Sequence, residues 1–395
     1  MRVVLVHGEY QERGGEDVVR ETERRALESA GVEIVELVRK NAEIAGYGPL
    51  QKLSLPLRTV WAWDTQRALA ALLARTRPDL AHFTNTLPLI SPAAYHTCQA
   101  AGVAVVQSLH NYRLACPAAT FLRDGEICEE CPTHGLQRAV VHACYRGSRP
   151  ASATIAGMLA VHRALGTYAR KVDTFVAPSA FARAKLIDTA HLPPERVVVK
   201  PNFLVDDPGA DSEGARAGAL FVGRLVDYKG VHTLLDAAGR LPASARVTVI
   251  GGGPLEAYVR TRAAQLPNLT VRGALPRDET LRALRRAKVL VFPSICYEVL
   301  PTVILEAFAC RVPVLASRLG AMPELVRDGQ TGLTFRAGDA RELSEKLLYM
   351  LAHEPEREAL GRGARAAFEA DHDFASGRAA LLRTYEHTLR RRAAI

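Results

Sequence analysis

The chain has 395 residues, of which 48% are hydrophobic and 24% are charged. This composition is typical of a globular protein with room for two domains, and it excludes a disordered chain. The formal net charge of +9 is spread along the sequence, so it favours an anionic substrate or an anionic membrane surface over nucleic acid.

The N-terminal sequence predicts a short strand over residues 2–6 followed by a charged loop, unlike the apolar core of a signal peptide. No apolar run approaches the length of a membrane span. The seven cysteines are odd in number, which argues against a secreted scaffold held by disulfides alone. We therefore expect a cytoplasmic enzyme, attached to the inner face of the membrane at most peripherally.

Strand-like segments alternate with helical patterns over residues 1–203, which is typical of a mostly parallel sheet with helices on both faces. Gly15 precedes a helix predicted to begin near Glu16, where free backbone amides bind anions. His110 follows a buried strand, where ligand groups tend to lie, although a structural histidine fits the same position. The predicted strands of this half are 2–6, 32–37, 80–83, 103–107, 173–177 and 197–199.

Residues 49–77 are both apolar and basic. They contain Trp61, Trp63, several leucines and five basic residues against one acidic residue. The pattern is typical of an amphipathic helix at a membrane surface, which predicts peripheral membrane contact and a lipid-linked acceptor. The alternative is a helix packed on the first sheet, and we favour this alternative over membrane contact.

Four cysteines lie within residues 116–144, which we interpret as an insertion in the first domain. They are Cys116, Cys128, Cys131 and Cys144, a Cys-x2-Cys pair flanked by single cysteines. This spacing fits a structural, tetrahedral zinc site, which leaves no open position for chemistry. Two disulfides, or buried thiols with one chance pairing, stay open as alternatives.

A polar segment rich in turn formers, residues 206–214, predicts a linker between two domains. We expect a first domain over 1–203, a second over 204–375, and a C-terminal helix over 376–395 that packs back on the first domain or on the second. The two domains are expected to face each other, because ligands of such sheets bind beyond the carboxyl ends of the strands. The predicted strands of the second half are 218–222, 246–250, 269–272, 288–292 and 312–316.

Two glycine turns follow strands of the second half. Gly223 and Arg224 come directly after a strand, with Lys229 five residues beyond Arg224. Arginine binds phosphate oxygens bidentately and lysine supplies a point charge, which suits a diphosphate. Gly252 lies in a Gly-Gly-Gly-Pro turn, where the backbone can approach a ligand closely. Neither turn has the spacing of a dinucleotide fingerprint or a P-loop.

Glu298 and Glu306 lie where a buried strand passes through a loop into a helix. A carboxylate inside an apolar helical pattern, as Glu306 is, needs a ligand or a partner. The rise of a helix puts the two carboxylates up to roughly 12 Å apart, too far for the carboxylate pair of a retaining glycosidase. Between them, the amides of Thr302 and Val303 at the helix start offer a phosphate site. Groups that bind hydroxyls on both sides of a phosphate site predict a nucleotide sugar as the ligand.

In this order and spacing, the motifs resemble those of the family 4 glycosyltransferases over nearly the whole chain. The resemblance implies an α/β, GT-B fold of two facing Rossmann-like domains with mostly parallel sheets. It also implies retaining transfer of a hexose from a nucleotide diphosphate to an acceptor hydroxyl, without a metal, in the assembly of a surface polysaccharide or glycolipid.

The resemblance further assigns roles to single residues. Arg224 and Lys229 are expected to hold the donor diphosphate, Glu306 the ribose hydroxyls and Glu298 the donor sugar. Gly15 is expected to bind phosphate from the opposite domain, and His110 to lie near the transferred sugar. The residues expected to be catalytic are His110, Glu298, Arg224 and Lys229, and those expected to bind the donor are Gly15, Gly223, Gly252, Thr302, Val303 and Glu306.

The expected partners are the nucleotide diphosphate sugar and a glycan or lipid-linked acceptor, with no nucleic acid. Two other functions stay open. A nucleotide-sugar epimerase of the same architecture would consume the donor without an acceptor. A non-enzymatic protein built on the cysteine module would bind sugar or nucleic acid without turnover.

Overall fold

A computed structural model describes residues 1–11, 14–210 and 214–394. The chain forms two compact units. The first unit contains Met1–Phe121, Glu129–Val205 and the residues from Ala375 on, and the second contains Leu122–Cys128 and Asp206–Phe374. The division falls at the start of the predicted linker, of which residues 211–213 lie outside the described residues.

The strands that the structure describes are β1 Arg2–Glu9, β2 Glu33–Lys40, β3 Leu80–Phe83, β4 Ala104–Ser108, β5 Leu122–Arg123, β6 Glu126–Ile127, β7 Thr174–Ala177, β8 Val197–Val199, β9 Ala219–Val222, β10 Val247–Ile250, β11 Leu269–Gly273, β12 Val289–Phe292, β13 Val314–Ser317 and β14 Gly332–Phe335. The α-helices are α1 Gly15–Ser29, α2 Pro49–Val60, α3 Trp63–Thr76, α4 Ala93–Ala100, α5 Glu130–His134, α6 Gln137–Val141, α7 Arg149–Ala164, α8 Thr167–Lys171, α9 Ala180–Ala190, α10 Val231–Ala238, α11 Glu256–Ala263, α12 Arg277–Arg285, α13 Thr302–Ala309, α14 Met322–Leu325, α15 Ala340–Ala352, α16 Glu354–Asp371 and α17 Phe374–Ala393.

The first unit is built on a six-stranded sheet in the order β2-β1-β3-β4-β7-β8, with every neighbouring pair parallel. The strands β3, β4 and β7 are mostly apolar and are buried along their length, as a sheet covered on both faces requires. The strand order reverses between β1 and β3. Near their carboxyl ends, Gly8 of β1 and Asn85 of the loop after β3 are joined by hydrogen bonds of 2.8 and 2.7 Å.

The second unit has a six-stranded parallel sheet in the order β11-β10-β9-β12-β13-β14. Numbered within this unit, the order is that of a Rossmann fold, and it reverses between β9 and β12. Each strand predicted from the sequence is present, with ends displaced by a few residues. The edge strand β14 and the short β5–β6 hairpin were not predicted as strands.

The C-terminal helix α17 packs on the first unit. Tyr385 is hydrogen-bonded through its hydroxyl to Nδ1 of the buried His82 at 2.7 Å, and Thr388 donates a hydrogen bond of 2.8 Å to Thr174. At Gly377, an added Cβ would lie 1.9 Å from the ring of Phe203, so only glycine allows this close approach. The helix is therefore part of the core of the first unit.

The tryptophan-containing segment divides into two helices with different surroundings. The helix α3 buries Thr65, Leu69 and Leu73, as the packed-helix alternative predicts. In α2, Thr59 is the one buried residue among the twelve. Among the described residues, no helix is both long and apolar enough to cross a membrane.

Candidate functional site

The glycine turns after β9 and β10 lie against each other. Gly251 has a φ of +143°, and a Cβ there would lie 1.9 Å from the carbonyl oxygen of Gly223. The amide of Gly223 donates to Ile250 at 3.1 Å, and the amide of Leu225 donates to Gly252 at 2.9 Å. The two loops thus form one backbone surface at the carboxyl edge of the sheet, and this surface contains both predicted glycines, Gly223 and Gly252.

A second close approach joins the loop after β9 to the loop after β12, across the point where the strand order reverses. Gly230 has a φ of +70°, and a Cβ there would lie 1.8 Å from the carbonyl oxygen of Pro293. The amide of Ile295 donates to the carbonyl oxygen of Tyr228 at 2.9 Å. Because these backbones touch, side chains far apart in the sequence meet at this edge.

Lys229 and Glu298 form an ion pair at this edge, with Nζ and Oε1 2.7 Å apart and side chains 21% and 14% exposed. The hydroxyl of Ser294 donates to the same carboxylate oxygen at 2.7 Å. Burial alone would lower the pKa of Lys229, but Glu298 outweighs it and the pKa is raised. Lys229 is therefore a fixed cation. Since an ammonium group has three donors, those not used by Glu298 can bind a ligand.

Arg224 lies in the same loop as Lys229 and is exposed to solvent. The loop packs closely against the turn after β10, because Gly253 adopts a φ of +151° and a Cβ there would lie 2.6 Å from the carbonyl oxygen of Leu225. Arg224 thus lies in a tightly packed stretch of backbone, close in sequence to the lysine with which it was predicted to act.

Glu306 lies in the middle of α13, between the buried residues Leu305 and Ala307. Its side chain is 14% exposed, and one oxygen lies 3.4 Å from a guanidinium nitrogen of Arg277. Burial raises the pKa of Glu306, and Arg277 offsets this rise only in part. Arg277 was missed from the sequence, where nothing marks it out among the other arginines of α12.

The start of α13 fits the predicted phosphate site. Pro301 is the N-cap residue, and Thr302 and Val303 are the first two helical residues. Their N–H groups have no intrahelical acceptor, as in the first turn of any helix. The amides therefore lie on the chain between Glu298 and Glu306, at the carboxyl edge of β12.

Gly15 is the first residue of α1 in the first unit, and it is exposed. The same turn carries Glu16 and Asp17, whose charges oppose an anion at this helix end. Glu16 accepts hydrogen bonds from Tyr10 at 2.8 Å and from Asn111 at 2.6 Å. Burial raises the pKa of Glu16, and these two hydrogen bonds offset the rise in part. Glu16 and Asn111 are polar groups near the predicted site that sequence reasoning missed.

His110 lies two residues beyond β4. Burial lowers its pKa to about 4, and the attraction of Glu23 only partly opposes this. The Nε2 atom is buried and has no hydrogen-bond partner among the residues that the structure describes. His110 is thus a neutral imidazole with one ring nitrogen left for a hydrogen bond.

A buried polar network lies behind His110. Lys200 and Glu23, 1% and 2% exposed, form an ion pair of 2.8 Å. His82, also buried, lies 3.9 Å from Glu23 and is hydrogen-bonded to Ser108 at 2.8 Å. Sequence reasoning missed the network, although a signal was present: Glu23 falls on the buried face of α1 with Val19, Ala26 and Leu27.

The four clustered cysteines differ in burial. Cys116 and Cys131 are buried, and Cys128 and Cys144 are half-buried. Across residues 1–11, 14–210 and 214–394, no group of three or more His, Cys, Asp or Glu side chains could hold a metal ion. The structural zinc stays a prediction.

Two family models match the chain. The model described as "Glycosyltransferase Family 4" matches residues 13–207, and the model described as "Glycosyl transferases group 1" matches residues 211–367. Together they account for most of the chain.

Curated relatives match in part. A sulfoquinovosyl transferase of Arabidopsis thaliana is 31% identical over 40% of this chain and 31% of its own length. An alpha-maltose-1-phosphate synthase of Mycolicibacterium smegmatis is 34% identical over 42% of this chain and 49% of its own length. The chain spans less than half the length of the first curated relatives that it matches.

Solved structures resemble the whole chain. HepE of Anabaena in complex with UDP has a TM-score of 0.68 at 16% identity, over 97% of this chain and 99% of that one. The sucrose-phosphate synthase of Thermosynechococcus elongatus has a TM-score of 0.71 at 19% identity, over the full length of both chains. At these identities the likeness shows the fold, which is the GT-B fold of two Rossmann-like domains.

Proposed function

Since the chain belongs to the family 4 glycosyltransferases, we propose that it transfers a hexose from a nucleotide diphosphate to an acceptor hydroxyl with retention of the anomeric configuration. The observation that carries this proposal is the edge between β9 and β12. There a fixed cation, an exposed arginine, a helix start and two carboxylates come from neighbouring loops. Such a set matches a ligand with two phosphates between two hydroxyl-bearing ends.

The donor roles follow from the charge of each group. Lys229 and Arg224 bind the diphosphate, together with the amides of Thr302 and Val303. Glu306 accepts hydrogen bonds from the ribose hydroxyls. These hydrogen bonds replace those to water that its carboxylate loses on burial. Glu298 has a double role in this proposal, since it holds Lys229 in place and accepts a hydrogen bond from a hydroxyl of the donor sugar.

The chemical step requires stabilisation of a leaving diphosphate. The bond between the anomeric carbon and the diphosphate oxygen breaks, and the electron pair leaves with the nucleoside diphosphate. The acceptor oxygen bonds to the same face of the anomeric carbon, and its proton passes to the departing phosphate oxygen. Fixed cations and amides stabilise the developing charge without rearrangement, which is the largest contribution that such a site makes to rate.

The first unit supplies the acceptor side in this proposal. A neutral His110 can donate one hydrogen bond to the transferred sugar, or accept one from it, without adding charge. Gly15 offers the backbone amide of an exposed helix start, although Glu16 and Asp17 beside it weaken its attraction for phosphate.

The acceptor is proposed to be a glycan or a lipid-linked sugar of a surface polysaccharide or glycolipid, and the location to be cytoplasmic. Relatives with names of this type support the acceptor class, among them an O-antigen chain mannosyltransferase of Escherichia coli. The complexes of Anabaena HepE with UDP and with UDP-glucose make uridine donors the first to test.

A turnover assay tests this function. The full chain is incubated with each nucleotide diphosphate hexose and a mixture of glycan and polyprenyl-linked acceptors, and release of nucleoside diphosphate is followed together with the product anomer by NMR. We expect release with one donor and a product of unchanged configuration. Lys229→Ala should lower the rate at least about 100-fold, because a donor aimed at developing charge is lost.

Lys346→Ala is the matched control. Lys346 forms an ion pair of 2.9 Å with Glu342 in α15, on the same unit. This control should leave the rate unchanged. An inverted product would overturn the retaining mechanism. Conversion of the donor sugar without acceptor would establish the epimerase instead, and binding without any turnover would leave a non-enzymatic sugar-binding protein.

A further inference from the structure

The helix α2 exposes a leucine stripe to solvent. Leu50, Leu53 and Leu57 are 81%, 78% and 64% exposed. Their spacing of three and four residues puts them on one face of the helix. Trp63, at the start of α3, is 50% exposed. Single exposed leucines are ordinary, but three aligned on one helix mark a contact surface.

The stripe is held pointing away from the body of the first unit. Thr59, which is buried, lies on the opposite face of α2. The C-terminal end of the helix is fixed, because the carbonyl oxygen of Val60 is hydrogen-bonded to His162 at 2.8 Å and Trp61 stacks on the same ring at 5.7 Å. Trp61 is therefore a structural anchor and does not belong to the exposed patch. The leucines cannot turn inward without breaking these contacts.

The charge around the stripe is positive. The helix contains Lys52 and Arg58 and no acidic residue. Over residues 49–77, five basic residues stand against Asp64 alone, and that carboxylate is already bound to Arg58 and to Arg39. A helix that combines an exposed leucine face with basic residues and no acidic residue is complementary to an anionic lipid surface, where apolar insertion and electrostatic attraction add.

We propose that α2 docks the protein on an anionic bilayer, with Leu50, Leu53 and Leu57 inserted at the boundary of headgroups and acyl chains. This inference goes beyond the proposed function and does not depend on it, since lipid contact requires neither donor nor acceptor. A helix of twelve residues lies in the plane of the surface, and it needs the attraction of the basic residues to stay bound.

Flotation with vesicles tests the proposal on the full chain without substrates. We expect binding to vesicles of phosphatidylcholine and phosphatidylglycerol, weaker binding to phosphatidylcholine alone, and loss of binding at high salt. Leu53→Ser should lower the partition coefficient about tenfold, since roughly half of the transfer free energy of a buried leucine is lost. Substituting Leu50, Leu53 and Leu57 together should abolish binding. Lys52→Glu should weaken binding to the anionic vesicles only.

Leu348→Ser is the matched control, because Leu348 is 43% exposed on α15 of the other unit and should not affect flotation. Melting temperatures of all variants should match the native chain, as their side chains are exposed. Failure of the native chain to float with anionic vesicles would overturn the proposal. So would a dimer in sedimentation velocity that the triple variant converts to monomer without any vesicle binding, since the stripe would then join two copies. Either result leaves nucleotide binding and turnover untouched.

Discussion

Replacing Gly230 with alanine tests whether the contact between the loops after β9 and β12 builds the site. The added Cβ would lie 1.8 Å from the carbonyl oxygen of Pro293, whereas real Cβ atoms keep at least 3.0 Å, so the two backbones must separate by about 1.2 Å. The neighbouring residue is Lys229, whose ion pair with Glu298 spans this contact. The substitution should therefore move the cation from the position at which it meets the diphosphate.

A control substitution separates the two contributions to the loss of stability, the backbone conformation and the displacement of packed backbones. Gly329 has a φ of +76°, close to the +70° of Gly230, but nothing lies within 4 Å of its Cβ position. Gly329→Ala should cost only the left-handed backbone conformation, about 1 kcal/mol. Gly230→Ala should add the cost of forcing packed backbones apart, for a total of about 3 kcal/mol. For a unit of this size, the melting temperatures should fall by about 3 °C and about 9 °C.

The assay combines thermal melting with donor turnover on both variants. A displacement of about 1 Å in a catalytic group costs about 100-fold in rate, so Gly230→Ala should lose activity to that extent while still folded. Gly329→Ala should keep it. Equal melting shifts for the two variants, together with normal turnover by Gly230→Ala, would refute the idea that this backbone contact positions Lys229.

Three further predictions concern single groups. Burial raises the pKa of Glu306, so the stability that its protonated form contributes at acid pH is lost as the pH rises through the folded pKa. In melting scans, Glu306→Gln should therefore melt higher than the native chain at neutral pH and lose this advantage below the ordinary carboxyl pKa of 4.5. The same variant should bind nucleotide more weakly in calorimetric titration. Lys200→Met leaves Glu23 charged and buried, and should cost about 3–5 kcal/mol in urea unfolding, whereas the double substitution with Glu23→Gln should recover most of that loss. The zinc hypothesis predicts bound zinc in protein purified without added metal, and a stoichiometry near zero by elemental analysis would remove it.

The strands were predictable because parallel strands buried on both faces are continuous apolar runs, as in Val289–Phe292. The strand β14 was missed since Gly332 at its start lacks a side chain that could mark a strand and Thr334 interrupts its apolar run. The order of strands within each sheet did not follow from the sequence, because crossover connections can place a strand on either side of its predecessor.

The site was predictable where a residue contradicts its local pattern. Glu306 interrupts an apolar helix and could be found for that reason. Glu23 interrupts only the buried face of the otherwise charged helix α1, and it was missed. The pairing of Lys229 with Glu298 could not be found, since it joins residues 69 positions apart through loops that meet only when β9 and β12 become neighbours. The low pKa of His110 likewise depends on groups that only the fold assembles, since burial lowers it, Glu23 opposes the shift, and Lys200 and His82 add to it.

The most direct test of the donor site is a thermal-shift panel of nucleoside diphosphates and their sugars on the native chain, Lys229→Ala, Glu306→Ala and the control Lys346→Ala. A ligand at 100 times its dissociation constant adds about 2.7 kcal/mol of stability, which is about 5–10 °C in a unit of this size. We predict such a shift with the nucleotides of one base for the native chain and the control, and its loss in both site variants. Native protein that no nucleotide stabilises, or an unchanged shift in Glu306→Ala, would contradict the assignment of this edge as a nucleotide-sugar site.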